Sequence, residues 1–137
     1  MSKFEEFLMD DFEDVVEIEK ELTIGGKVKK MKFKPLSADK GDEIRKKCRK
    51  VSFVKGQKIS ETDQDKYMAN LIIETTTYPD LKNAELQAAW GVMGAEELLK
   101  AMKVKMKDGE YSEWSNAVGS INGYDKGLQE LMEEAKN

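Results

Sequence analysis

Residues 15–34 read Val15-Val16-Glu17-Ile18-Glu19-Lys20-Glu21-Leu22-Thr23-Ile24-Gly25-Gly26-Lys27-Val28-Lys29-Lys30-Met31-Lys32-Phe33-Lys34, and this stretch decides the fold class. Val16, Ile18, Lys20, Leu22 and Ile24 alternate with Glu17, Glu19, Glu21 and Thr23. A two-residue period is the pattern of a strand with one covered face. Gly25-Gly26 supplies a tight turn that accepts positive φ at both positions, so the chain folds back as a hairpin. On the return run Met31 and Phe33 share one face, and Lys30, Lys32 and Lys34 the other. Val28 is out of phase with Met31, which points to a bulge. An acidic strand beside a lysine-rich one gives favourable cross-strand pairs.

Outward from the hairpin the pattern turns helical. Pro35 ends the return strand, and Ser37 is an N-cap for a helix over 38–51 with the stripe Ile44, Cys48 and Val51. Gly56 marks a loop. Ser60 or Thr62 caps a second helix carrying Tyr67, Met68, Leu71, Ile72 and Ile73, and Thr75, Thr76 and Thr77 weaken it before Pro79. Asn83 caps a short helix through Trp90, closed by Gly91 in the left-handed region; Gly94 opens another with Leu98, Leu99 and Met102. After an Asp108-Gly109 turn, residues 110–121 put Tyr111, Trp114, Val118 and Ile121 on one helical face. Asn122-Gly123 ends that helix, and a last one over 124–134 offers Leu128, Leu131 and Met132. Before the hairpin, residues 3–12 suggest a short amphipathic helix with Phe4, Phe7 and Leu8 on one face. The expected fold is therefore mainly α with an N-terminal β-hairpin (α+β), a small helical bundle in a single domain over 1–137. Its parts are an amphipathic segment (1–14), the hairpin (15–34) and a helical region (37–135).

Composition narrows the function. The chain has 137 residues, 39% hydrophobic and 36% charged, enough for one modest core under a heavily solvated surface. It has no apolar run near the ~18 residues of a membrane span and no basic-then-apolar start, so neither a membrane nor a secretion role is expected. One cysteine precludes an intrachain disulfide and suits a reducing cytosol. Histidine is absent, which removes the commonest general base and metal ligand, so no cofactor or metal is expected, while a hydrolase built on carboxylates alone stays open. Charge is segregated: nine acids and two bases in residues 1–26, three acids and thirteen bases in 27–58, fifteen acids and eight bases in 59–137. A basic band between acidic ends suits an acidic partner or weak head-to-tail self-association; the competing reading is charge balance on solvated faces.

Each candidate site has a structural alternative. Cys48 lies between Lys47 and Arg49, which can activate a thiol, yet no histidine is present to act as base and its place on an apolar stripe favours a core role. Arg45-Lys46-Lys47-Cys48-Arg49-Lys50 is basic, but on a helix it spreads over several faces without interleaved aromatics, so no nucleic acid is expected. Asp10-Asp11 and Asp63-Gln64-Asp65 lack the glycine and closing glutamate of a calcium loop. Gly91-Val92-Met93-Gly94 superficially matches a loop that clamps a nucleic-acid backbone, and reads better as helix punctuation. Phe4, Phe7, Leu8, Trp90, Met93 and Trp114 are the candidate partner-binding residues, because large aromatics dominate interface hot spots and methionine adapts to apolar partners; the alternative buries the tryptophans in the core.

Several segments together resemble a known family. Tyr78-Pro79-Asp80-Leu81-Lys82, Ala84-Glu85-Leu86-Gln87 and Gly91-Val92-Met93-Gly94-Ala95-Glu96-Glu97-Leu98-Leu99 follow in order. Asp108-Gly109-Glu110-Tyr111, Ile121-Asn122-Gly123-Tyr124-Asp125 and Glu134-Ala135-Lys136-Asn137 complete the set, and Phe33-Lys34-Pro35-Leu36-Ser37 is similar too. Their order and spacing resemble the XkdN-like tail assembly chaperones of contractile-tailed phages and phage-like elements. Lys105-Met106-Lys107 departs from that pattern, where a more apolar run ending in proline is expected. The resemblance implies a non-catalytic protein of the host bacterial cytoplasm that binds the tape measure protein, helps recruit the tail tube protein, and is absent from the mature particle. It also implies a programmed frameshift yielding a longer product. Ala135-Lys136-Asn137 can be encoded as GCA-AAA-AAC, a slippery sequence, which makes Lys136 and Asn137 the candidate frameshift-encoded positions. The alternative is a structural tail component retained in the particle.

Overall fold

The computed structural model describes residues 3–124. Within them two 3-10 turns (Glu5–Phe7 and Met9–Asp11) precede β1 (Ile18–Ile24) and β2 (Lys27–Phe33). Then come α1 (Ala38–Lys47), β3 (Arg49–Val54), β4 (Gln57–Thr62), α2 (Gln64–Thr75), β5 (Thr76–Tyr78), α3 (Ala84–Ala89), α4 (Ala95–Val104) and α5 (Asp108–Ile121). The strands form a three-stranded sheet, β1-β2-β5, and a separate β3–β4 pair.

The first hairpin forms as its alternation demands. Gly25 and Gly26 sit at φ 64° and 80°, the left-handed geometry of a two-residue turn matched to strand twist. Glu19 lies opposite Lys32 and Glu21 opposite Lys30. The expected bulge is absent: pairing runs unbroken from Ile18 with Phe33 to Ile24 with Lys27. Met31 and Phe33 are buried, which fixes the inner face, so Val28 falls on the outer face opposite Thr23 and stays exposed. The register shift lies instead between β2 and β5, at Lys32 and Phe33.

The helical-bundle expectation is overturned. Among the described residues five α-helices combine with five strands in two sheets, a mixed α/β architecture rather than a mainly α one. The predicted helix over 38–51 stops at Lys47, and Val51 belongs to β3, half exposed. Val51, Phe53, Val54 and Ile59, β-branched or aromatic, flank Lys55-Gly56, and their preference for a strand prevails over the helical stripe. Lys55 and Gly56, at φ 53° and 79°, make a second two-residue turn where a loop was expected. The Asp63 N–H donates to the Cys48 carbonyl at 2.7 Å and closes the base of this hairpin. Asp63, not Ser60 or Thr62, caps α2, its carboxylate accepting from the Lys66 N–H. Threonines at 75–77 turn the helix directly into β5, since β-branched side chains favour extended backbone. Asp108-Gly109 is the first turn of α5 rather than a separate turn. Residues 3–12 form two isolated 3-10 turns with nothing buried, because so short a segment without a packed face does not support an α-helix. Of the predicted helix over 124–134 only Tyr124 is described; the rest of it, with Lys136 and Asn137, falls outside the described residues.

α2 is the central element, packed on α1, α4, α5 and β5. Its Tyr67, Leu71 and Ile72 meet Met31 and Phe33 of the sheet, Leu98 and Leu99 of α4, and Trp114 and Val118 of α5 in one core. The Trp114 indole N–H donates to the Thr76 hydroxyl at 3.1 Å, so this buried ring leaves no polar atom unsatisfied.

Candidate partner-binding surface

A groove of 780 Å³ opens beside β2. Ile24, Met31, Tyr78, Pro79, Trp90, Met102 and Met106 give it an apolar lining, and Lys27, Lys29, Lys30 and Lys105 add four ammonium groups. Three local devices hold these residues. Both carboxylate oxygens of Glu110 accept from the hairpin turn, Gly25 N–H at 3.1 Å and Gly26 N–H at 2.9 Å, which pins the tip of β1–β2 to the start of α5. Glu110 also accepts from the Lys107 N–H at 2.9 Å and so caps its own helix. These N–H donors, Lys107 first, hold its carboxyl below the usual glutamate range against the opposing effect of burial. Trp90 closes α3 at the groove wall. Gln87 fixes that helix by donating to the Leu81 carbonyl and accepting from the Gly94 N–H, both at 2.9 Å. Met102 comes from α4, whose Lys103 ammonium stands 4.3 Å from the Tyr111 ring centre. Burial, and then nearby Asp65, push the Tyr111 phenol up to about 12.

The candidate residues separate. Trp90 lines the groove and is 37% exposed. Trp114 is fully buried and belongs to the core, the competing reading of that residue. Met93 is exposed on the turn between α3 and α4 but does not line the groove. Phe4, Phe7 and Leu8 are exposed on the N-terminal turns. Cys48 is buried, and burial pushes its thiol up, consistent with a core role. The basic run over 45–50 is divided between the end of α1 and the start of β3, and the Lys47 ammonium donates to Asn70 Oδ1 at 2.9 Å. Gly91 and Gly94, both at positive φ, join α3 to α4 as punctuation.

Sequence reasoning missed the groove itself and the β3–β4 arm, where Phe53 is 72% exposed. The arm had a readable signal in the β-branched and aromatic residues around Lys55-Gly56; the groove had none, because its lining is drawn from residues scattered between 24 and 106. Among the described residues no group of three or more His, Cys, Asp or Glu side chains is placed to hold a metal ion. No helix among them is long and apolar enough to cross a membrane. What the surface offers chemically is an apolar trough with fixed positive charge, suited to holding a peptide.

The model of the phage XkdN-like tail assembly chaperone family matches residues 4–136, nearly the whole chain. The chain belongs to this family. The phage-like element PBSX protein XkdN of Bacillus subtilis (strain 168) is 34% identical over 106 residues, covering 77% of this chain and 70% of that protein. YqbN of the same strain is 36% identical over 106 residues with the same coverage. The crystal structure of YqbN superposes with a TM-score of 0.68 at 27% identity, covering 91% of this chain and 99% of that one. The mixed α/β architecture is thus similar to that of the experimentally solved YqbN.

Proposed function

We propose that this tail assembly chaperone acts by binding the tape measure protein during tail assembly, without catalysis, and assists addition of the tail tube protein. The observation that carries this reading is the groove: an open apolar trough with methionines at 102 and 106, on a fold of the tail assembly chaperone family. Methionine adapts its shape to varied apolar side chains, as a client that is long and not yet packed requires. The exposed Phe4, Phe7 and Leu8 offer a second apolar surface, separate from the groove. In this reading the protein works in the host bacterial cytoplasm and is left out of the mature particle. A longer product made by frameshifting at the codons for Lys136 and Asn137 carries the link to the tail tube; the gene's nucleotide sequence and expression with native downstream DNA test that part.

Co-expression with a tagged tape measure protein, followed by pull-down, tests the central claim. Stoichiometric capture supports it. Failure of capture, or recovery of this chain by mass spectrometry of purified particles, favours the structural tail component instead.

A further inference from the structure

We propose that residues 12–16 of one copy dock as an added strand along β2 of a second copy, filling the lysine-rimmed groove while no client occupies it. β5 pairs only with Lys32 and Phe33, so from Lys27 to Met31 that side of β2 has no neighbouring strand among the described residues. All five of those residues line the groove. An open edge accepts an extended peptide through backbone hydrogen bonds, with side-chain pockets choosing which peptide. Lysines along such an edge normally guard it against pairing. A strand that carries acids turns the guard into an attraction.

The chain itself contains such a strand. Residues 12–16 read Phe12-Glu13-Asp14-Val15-Val16, and Glu5, Glu6, Asp10 and Asp11 precede them. Phe12 has extended backbone, φ −96° and ψ 128°. Phe12, Val15 and Val16 are 65%, 52% and 63% exposed, so this apolar set is uncovered in the single copy. Its acids are opposite in sign to the lysines of the groove, and its apolar residues match Trp90, Met102 and Met106 in character. Geometry favours a second copy over the chain's own groove. The segment enters β1 at Ile18, opposite Phe33, whereas the groove begins at the hairpin tip with Ile24 and Gly25. Its root reaches β5, the Thr77 hydroxyl donating to Glu17 Oε2 at 2.8 Å, yet none of residues 12–16 lines the chain's own groove. β1 lies on one side of β2, and the open edge on the other.

The test uses the full chain, sedimentation velocity and tryptophan emission across a concentration series at low and high salt. Trp114 is buried throughout, so a change in emission reports Trp90 in the groove. Association that grows with concentration, shifts Trp90 emission in parallel and weakens with salt is expected. Lys30→Glu with Lys105→Glu, or Glu13→Lys with Asp14→Lys, should each weaken association about tenfold or more. All four side chains are exposed, so the fold is retained, which circular dichroism verifies. Mixing the two reversed variants should restore association. A chain that stays monomeric overturns the proposal. So does association without a Trp90 shift, a Trp90 shift independent of concentration, or no recovery in the mixture.

Discussion

Glu110 connects chain segments 85 residues apart through its bond to Gly25, and its charge is what makes the connection. Its folded pKa lies below the unfolded value of about 4.5, so the stabilisation is fully present above that pH and is lost as pH falls through the folded value. Thermal melts from pH 7 downward should show Tm declining below about pH 4.5. Glu110→Gln should lower Tm at neutral pH and flatten that decline, because an amide presents N–H where the turn needs an acceptor. Asp39 is shifted the same way, held first by the Ser37 hydroxyl, so some slope remains. Phe7 offers a separate residue-scale test. It is 75% exposed, so Phe7→Asp should change stability by less than about 0.5 kcal/mol while reducing tape measure capture in the pull-down. Capture unchanged by that substitution would remove the N-terminal face from the client surface. Little at this scale was legible beforehand. Glu110 stood in sequence as one more acid near a helix start, and Asn122 as a helix terminator. In the structure Asn122 also accepts from the Leu36 N–H at 2.8 Å and donates to the Thr75 hydroxyl at 3.0 Å, long-range bonds that no local pattern encodes.

Elements were legible where one pattern acted alone. Gly25-Gly26 between alternating runs gave the first hairpin, and Asn83, Gly91, Gly94 and Asn122-Gly123 marked helix ends that the structure keeps. Reading failed where two patterns overlapped. Ile44, Cys48 and Val51 fit a helical stripe, while Val51, Phe53 and Ile59 fit a strand, and only the β3–β4 pairing settles which residues each pattern owns. That arm is nearly all exposed and stands as a two-stranded pair, which is marginal in water without a covered face. Its amides should exchange with solvent far faster than those of β1–β2, a difference hydrogen exchange resolves. Lys55 occupies left-handed backbone that costs a lysine more than an asparagine. Lys55→Asn should slow exchange in the arm, equivalent to about 0.5–1 kcal/mol of local stability, and leave the global Tm unchanged. An equal gain across the whole protein would show that the arm melts with the core.

At the scale of the molecule one core joins sheet and helices, and Trp114 is its largest buried side chain. Trp114→Ala should lower unfolding free energy by about 3–5 kcal/mol in urea titrations, with the cavity and the lost Thr76 bond acting together. A loss below about 1 kcal/mol would mean that the site collapses around the smaller residue. The groove, a product of this global packing, brings together residues from the first hairpin, β5, α3 and α4 that share no sequence pattern. The Glu110 clasp has one more consequence, in time rather than space. During synthesis the hairpin leaves the ribosome long before residue 110 exists. At about 5–20 residues per second the wait is roughly four to seventeen seconds. For that interval Met31 and Phe33 have neither Trp114 nor Val118 to cover them. The nascent sheet is then a sticky ribbon, its inner face waiting for α5 to cover it.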